Sequence, residues 1–267
     1  MLLYNRVAVR NIAIPFSISI LLLFGAFNYV GVTDYKVRKI VIDPGHGGKD
    51  PGTSGSYSKE KDIALKVSLE LERIIKENLP DVEVLLTRKT DSFPHLRDRA
   101  QIANKRNADL FISIHANWVA NPSVYGTETY VMAVQNAGKN FEVGKRENSV
   151  ILLEDDYEKN YDFDPDSPES FILFSLTQTA FQERSLLLAN KVEEQMKGRV
   201  GRRSRGVKQS DLYLMWSTAM PSVLVEVGYL SNPKEERDLN DPLNQVYIAS
   251  GIYRAFRDYK KEIESMN

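Results

Sequence analysis

From Val37 onward the chain alternates strand-like and helix-like segments, and that alternation constrains its fold more than any other feature. Residues 39–43 (KIVID), 82–87 (VEVLLT), 110–115 (LFISIH), 126–134 (GTETYVMAV), 212–216 and 222–227 (SVLVEV) read as strands. Between them, residues 59–78 put Ile63, Val67, Leu71, Ile74 and Ile75 on one helical stripe. Leu65 and Leu69 fall on the other side, which predicts a helix covered on two faces. Further helical patterns run over 94–106, 176–198 and 243–263. The pattern predicts one α/β domain over 37–265 with a mixed or parallel sheet, without internal repeats.

One stretch interrupts this rhythm. Between residues 136 and 174 no strand–helix unit completes, and residues 154–169 (EDDYEKNYDFDPDSPE) hold eight acids against one Lys. A loop of that length inside a compact domain is usually functional; the composition alone fits a solvated acidic loop equally well. Asp162, Asp164 and Asp166 match the first three spacings of an EF-hand loop. Ser167 replaces its glycine and Leu173 its closing Glu, which rejects calcium binding there.

The N-terminus reads as an export segment. Arg6 and Arg10 precede an apolar run over 12–27 (IAIPFSISILLLFGAF) that fades towards Val32. The run is short of the ~20 residues that span a bilayer unless it is counted on to Val32. Phe24-Gly25-Ala26 is a poor cleavage site because Phe24 stands where a small residue is wanted. Residues 1–32 are therefore a cleaved signal or a retained membrane anchor, and either way the remaining chain is exported.

Composition then narrows the chemistry. With no Cys there is no thiol nucleophile, Cys-rich zinc site, iron–sulfur cluster or disulfide. A net charge of −1 gives no overall attraction to nucleic acid. What remains is three His and 36 acidic residues, so their positions decide the chemistry.

Two of the His stand at strand ends. His46 follows the first strand inside a glycine-rich loop, Asp43-Pro44-Gly45-His46-Gly47-Gly48, and His115 closes the strand 110–115. If both strands belong to one parallel sheet, the two imidazoles emerge at its carboxyl edge, the usual ligand crevice of such folds. The loop has neither GxGxxG nor GxxxxGK[ST], so phosphate binding is weakly supported. Glu60 lies in the expected first turn of the next helix, with Ser58 as a candidate N-cap. Two His and one carboxylate leave an open fourth position, the arrangement of a catalytic zinc. Glu226 places a charge inside the apolar run SVLVEV, where it is costly unless used or paired, and is the natural general base. Taken singly, each residue has a plain structural reading: a hydrogen-bonded His, a Glu at a helix N-terminus, a salt-bridged Glu. His95 has no convergent partner and reads as an exposed helix-start residue.

Several motifs carry a resemblance in order along the chain. IVIDPGHGGKDPGTSG, EKD at 60–62, LTR at 86–88, LRDRAQIAN at 96–104, ADLFISIHAN at 108–117 and PSVLVEVGYLSN at 221–232 resemble the zinc-dependent N-acetylmuramoyl-L-alanine amidases of the amidase 3 family. The resemblance covers about 39–259. It implies a central mixed six-stranded sheet flanked by helices, and cleavage of peptidoglycan between the lactyl group of N-acetylmuramic acid and L-alanine. It further implies that His46, Glu60 and His115 bind Zn2+ and that Glu226 is the catalytic glutamate.

Some members of that family carry an inserted helix that covers the zinc until a partner protein displaces it. Here residues 146–154 (RENSVILLE) suit such a segment, with Glu147 or Glu154 near the metal. A substrate-lining loop is the competing expectation. The basic cluster Arg199, Arg202, Arg203, Arg205 and Lys208 reads as a solvated turn or as a contact for stem-peptide carboxylates. A catalytically silent wall-binding protein on the same fold and a zinc peptidase of other specificity are the alternative functions. The first conflicts with the presence of all four of His46, Glu60, His115 and Glu226.

Overall fold

The computed structural model describes residues 35–133, 140–155, 157–161 and 181–266. Residues 1–32, read above as a signal or anchor, the EF-hand-like stretch and the rest of the acidic loop lie outside them. Among the described residues no helix is long and apolar enough to cross a membrane.

Six strands form one sheet: β1 (Lys39–Pro44), β2 (Glu83–Leu86), β3 (Leu110–Asn117), β4 (Thr127–Met132), β5 (Ser204–Ser210) and β6 (Ser222–Tyr229). Their order is β2-β1-β3-β6-β4-β5. β2, β1, β3 and β6 run parallel; β4 is antiparallel to β6, and β5 is parallel to β4. The sheet is therefore mixed. β3 and β6 are buried along their whole length, as expected of central strands with helices on both faces.

On one face lie α1 (Glu60–Asn78), α5 (Gln182–Gln195) and the terminal α8 (Pro242–Ser265). α1 packs on β3 and β1 with one side and on α8 with another, so Leu65 and Leu69 are half-buried. Ile63, Val67, Leu71 and Ile75 are fully buried, each contributing about 1.5–3 kcal/mol of transfer free energy. α7 (Pro233–Asn240) precedes α8, and Asp241 caps α8 by accepting from Leu243 N.

The opposite face carries α2 (Leu96–Lys105), the short α6 (Tyr213–Trp216), and three pieces of the insertion. These are α3 (Phe141–Asn148), a 3₁₀ turn (Ser149–Leu153) and α4 (Tyr157–Asn160). Leu96, Ala100, Val150, Ile151, Tyr213 and Leu214 close over Val41, Phe111 and Met132 of the sheet. The described residues of the insertion are thus largely helical and docked on the sheet.

Three expectations are corrected. Residues 212–216 form a helical turn, and the fifth strand is Ser204–Ser210, whose polar sequence SRGVKQS shows no apolar alternation. Its ladder to β4 holds it, so Arg205 and Lys208 stand on an edge strand and not in a turn. Ser58 does not cap α1: the N-cap is Lys59 without a side-chain bond, and the Ser58 hydroxyl donates to Glu236 Oε1 at 2.8 Å.

Candidate metal centre

The loop after β1 turns back sharply. His46 has φ 59°, followed by Gly47 at 126° and Gly48 at 55°, a run of left-handed residues that only glycine adopts freely. Two buried arginines hold it. Arg88 donates to the carbonyls of Pro44 (3.0 Å) and Gly45 (2.7 Å), and Arg99 to those of Pro44 (2.8 Å) and His46 (2.7 Å). Burial lowers the Arg88 pKa to about 10, with the neighbouring Arg99 charge adding to the effect. Arg99 is compensated by Asp43, whose Oδ1 lies 2.9 Å from Nη1. Burial opposes charge on Asp43, yet Arg99, Thr87 and Ser113 outweigh it and hold its carboxyl below the usual range.

The loop delivers His46 with its ring fixed. Asp50 Oδ2 sits 2.7 Å from Nδ1, leaving Nε2 buried with no hydrogen-bond partner among the described residues. Glu60, in the first turn of α1, is fixed by two backbone donors: Thr53 N to Oε2 at 2.7 Å and Ala116 N to Oε1 at 2.9 Å. Its Oε1 lies 3.2 Å from His46 Nε2 and 2.9 Å from His115 Nδ1. His115 comes from the end of β3, its ring packed on Gly45, where a Cβ would stand 2.5 Å from Nε2.

Glu147, on α3, completes the cluster. Its Oε2 lies 3.2 Å from His115 Nδ1 and 3.5 Å from His46 Nε2. One donor atom from each of His46, Glu60, His115 and Glu147 falls within 4.8 Å of the others, and all four residues are buried. Burial works against charge in each, but the mutual attraction wins. It raises His46 to about 9, raises His115 well above its ordinary value and lowers Glu147 to about 2.

Glu226 stands beside them. The β3–β6 register pairs it with His115, so the two side chains share a sheet face. It is fully buried; burial and the charge of Glu60 push its carboxyl well above the usual range, against the pull of Arg146. Arg146 Nη2 lies 3.4 Å from Glu226 Oε1 and 2.9 Å from Glu147 Oε1, while Glu226 Oε2 has no hydrogen-bond partner among the described residues.

Glu154 is not part of this group. Its Oε1 accepts from Leu96 N and its Oε2 from the Tyr161 hydroxyl, 2.7 Å each, so it caps α2 and anchors the insertion. His95, partly exposed, is the residue before α2 and lies 3.3 Å from Glu154. Sequence reasoning passed over Asp50, Arg88 and Arg99. All three lie inside motifs that carry the resemblance, Asp50 in IVIDPGHGGKDPGTSG, Arg88 in LTR and Arg99 in LRDRAQIAN, and that is the signal for them.

The donor set suits a divalent ion of borderline softness: two imidazole nitrogens and carboxylate oxygens, with buried His46 Nε2 making no hydrogen bond among the described residues, His46 held from behind by Asp50 and Glu60 by the Thr53 and Ala116 amides. A buried cluster of this kind is able to hold a metal ion.

Comparison with known proteins identifies the fold and its chemistry. The N-acetylmuramoyl-L-alanine amidase profile matches residues 40–258. The chain is similar to the N-acetylmuramoyl-L-alanine amidase AmiA of Escherichia coli (strain K12), 35% identical over 223 residues covering 83% of this chain and 76% of that protein. Among solved structures it resembles the N-acetylmuramoyl-L-alanine amidase of Clostridium difficile 630, with TM-score 0.63, 26% identity, and 84% and 97% of the two chains covered. It also resembles the Clostridioides difficile CwlD amidase, solved in complex with the GerS lipoprotein, with TM-score 0.62, 27% identity, and 83% and 98% covered. The chain belongs to the N-acetylmuramoyl-L-alanine amidase family and is a peptidoglycan hydrolase of that class.

Proposed function

We propose that the chain uses Zn2+ held by His46, Glu60 and His115, with Glu226 as general base, and that residues 141–153 block this site until a partner moves them. The observation that carries the reading is the convergence of His46 Nε2, His115 Nδ1 and Glu60 Oε1 next to a Glu226 with one unpartnered oxygen. Zinc bound there supplies a Lewis acid for the amide carbonyl and lowers the pKa of water.

The protein's own groups do the rest. Glu226 Oε2 takes the proton of the attacking water and delivers it to the departing nitrogen of L-alanine. Asp50 fixes the His46 ring, and the Thr53 and Ala116 amides fix Glu60, so that little rearrangement accompanies the reaction. Glu147 fills the position that substrate needs, while Arg146 covers the other oxygen of Glu226. Blocking therefore involves both the metal ligands and the base.

The N-terminal segment 1–32 is read as a signal or membrane anchor, and the working compartment as the periplasm or cell envelope. The partner that releases α3 is a protein activator. Leu152, Leu153 and Trp118, each more than two-fifths exposed, border the cleft beside the blocked site and offer it an apolar hold.

Metal analysis of the purified chain, combined with mass spectrometry of digested peptidoglycan, tests the reading. Bound zinc, peptides beginning with L-alanine and peptide-free glycan are expected. Glu226→Gln should keep zinc and lose peptide release. Full activity in zinc-free protein, or hydrolysis by the Glu226→Gln variant, overturns it.

A further inference from the structure

A row of polar side chains leads across the sheet away from the ligand cluster. The registers His115–Glu226 and Glu226–Glu128 put these three residues on one face of β3, β6 and β4. Beyond β4 the ladder to β5 slips between Thr127–Ser204 and Thr129–Val207, so Arg205 and Gly206 oppose Glu128 together. Arg205 Nε donates to Glu128 Oε1 at 2.8 Å, and its guanidinium lies 5.5 Å from the Tyr229 ring. Glu128 is buried and also accepts from the Tyr130 hydroxyl at 2.6 Å and from Asn117 Nδ2 at 3.5 Å, so its charge is fully answered within the protein.

Arg205 differs from the neighbouring arginines. Arg202 is spent on Glu235, its side chain 10% exposed, whereas 30% of the Arg205 side chain remains at the surface. Its Nε edge is fixed by Glu128, and the fork of terminal nitrogens is the part of a guanidinium that matches a carboxylate in two parallel bonds. Exposed Arg203, two residues earlier, adds a second positive charge, stacked 5.0 Å from the Tyr125 ring.

Substrate geometry connects this row to the reaction. With the scissile amide at Glu226, a stem peptide that runs along the sheet from β6 over β4 comes to β5. β5 lies two strand spacings from β6, about 10 Å. An extended peptide covers that distance in about three residues. The stem of peptidoglycan is an acidic peptide whose carboxyl groups occur free or amidated.

Resting on the amidase reading, we infer that Arg205, supported by Glu128 and Arg203, is a specificity residue that binds a free carboxylate of the stem peptide within three residues of the cleaved bond. It acts on substrate binding and touches none of the reacting atoms.

The test compares two synthetic muramoyl peptides, identical except that the acidic stem residue carries a carboxylate or a carboxamide, using the full chain loaded with zinc. Inhibition by the matching free peptides is measured alongside. The wild type should favour the carboxylate form by about tenfold or more in kcat/KM, through KM, and the carboxylate peptide should inhibit more tightly by a similar factor. Arg205→Gln should erase both preferences while kcat holds within about twofold, and Arg205→Lys should restore part of them. The double variant Arg205→Gln/Glu128→Gln removes the buried charge left by the single change, and the same loss of preference is expected. Equal use of the two substrates by the wild type, or an unchanged preference in the Arg205→Gln variants, overturns the inference and leaves the amidase reading standing. Release of no L-alanine peptide from either substrate, by the wild type and by the unblocked Glu147→Ala variant alike, overturns the amidase reading itself, and the inference with it.

Discussion

Glu147 Oε2 stands 3.2 Å from Nδ1 of His115, so a carboxylate from the insertion joins the two imidazoles and Glu60 in one buried cluster. Its neighbour in sequence, Arg146, holds Glu147 Oε1 at 2.9 Å and reaches Glu226 Oε1 at 3.4 Å. Adjacent residues of one short helix thus engage both chemical halves of the site. α3 is itself held by Asn148, which accepts from Tyr213 N through Oδ1 at 2.8 Å and donates to the Asp211 carbonyl at 2.9 Å.

The proposed block by Glu147 predicts that removing its carboxylate frees the site. A contact between charged groups is worth about 1.5–3 kcal/mol, so Glu147→Ala is expected to raise basal peptide release by about 10- to 100-fold. Arg146→Ala should raise it less, because its contact to Glu226 is long at 3.4 Å and its side chain is 28% exposed. A dye-release assay on purified peptidoglycan measures both. Unchanged or lower activity in Glu147→Ala would show that the helix lines the substrate path instead of blocking it.

Much of this arrangement was legible in the sequence, because strand ends and first helical turns are set by local pattern. Residues 39–43 and 110–115 announce themselves as buried strands, so His46 and His115 had to emerge at the same edge once the sheet was parallel. Glu226 was visible as a charge in an apolar strand. The supports were not visible. Arg99 is 2% exposed and meets Asp43 across 56 residues, and no local pattern distinguishes it from a solvated helix arginine. β5 was missed for a related reason: as an edge strand with half-buried residues it needs no apolar alternation, and its pairing with β4 is what makes it a strand. Glu147 and Glu154 were equivalent in sequence. Only the packing of Tyr161 and α2 draws Glu154 away from the metal ligands.

Asp50 orients His46 and should tune metal binding without altering the fold. Asp50→Ala is expected to weaken zinc affinity by about 10- to 100-fold, the usual cost of losing the group behind a ligating His. Competition with a chromogenic chelator measures the affinity, and circular dichroism checks the fold. An unchanged affinity would mean that Gly45, Gly47 and the two arginines position the ring without Asp50.

The Asp43–Arg99 pair should govern acid stability. The folded-state pKa of Asp43 lies below its ordinary value of 3.8, so its stabilising contribution is present above that pH and is lost as pH falls through the folded value. Asp43→Asn should therefore be less stable than wild type near pH 7, the gap narrowing below about pH 4. Arg99→Met leaves the Asp43 charge buried without its partner and is expected to cost about 3–5 kcal/mol near neutral pH. Urea unfolding at several pH values reads both. A gap between Asp43→Asn and wild type that stays constant from pH 7 to pH 3 would count against the pair.

Gly45 offers the sharpest steric test, because its lack of a side chain is what lets His115 stand where it does. A Cβ there would lie 2.5 Å from both Cε1 and Nε2 of the His115 ring and 2.8 Å from Nδ1. The ring must swing aside, which carries Nδ1 away from Glu60 Oε1, now 2.9 Å distant. A displacement of about 1 Å at a reacting group costs on the order of 100-fold in rate. Gly45→Ala should accordingly lose at least that much activity, along with tight zinc binding. Gly201→Ala is the matched control: its φ is +79° with nothing within 4 Å of the added carbon, so only backbone strain of about 1 kcal/mol is expected, with activity kept. Zinc titration and peptide release separate the two variants. Wild-type zinc affinity in Gly45→Ala would mean that the loop at residue 45, and not the His115 ring, gives way.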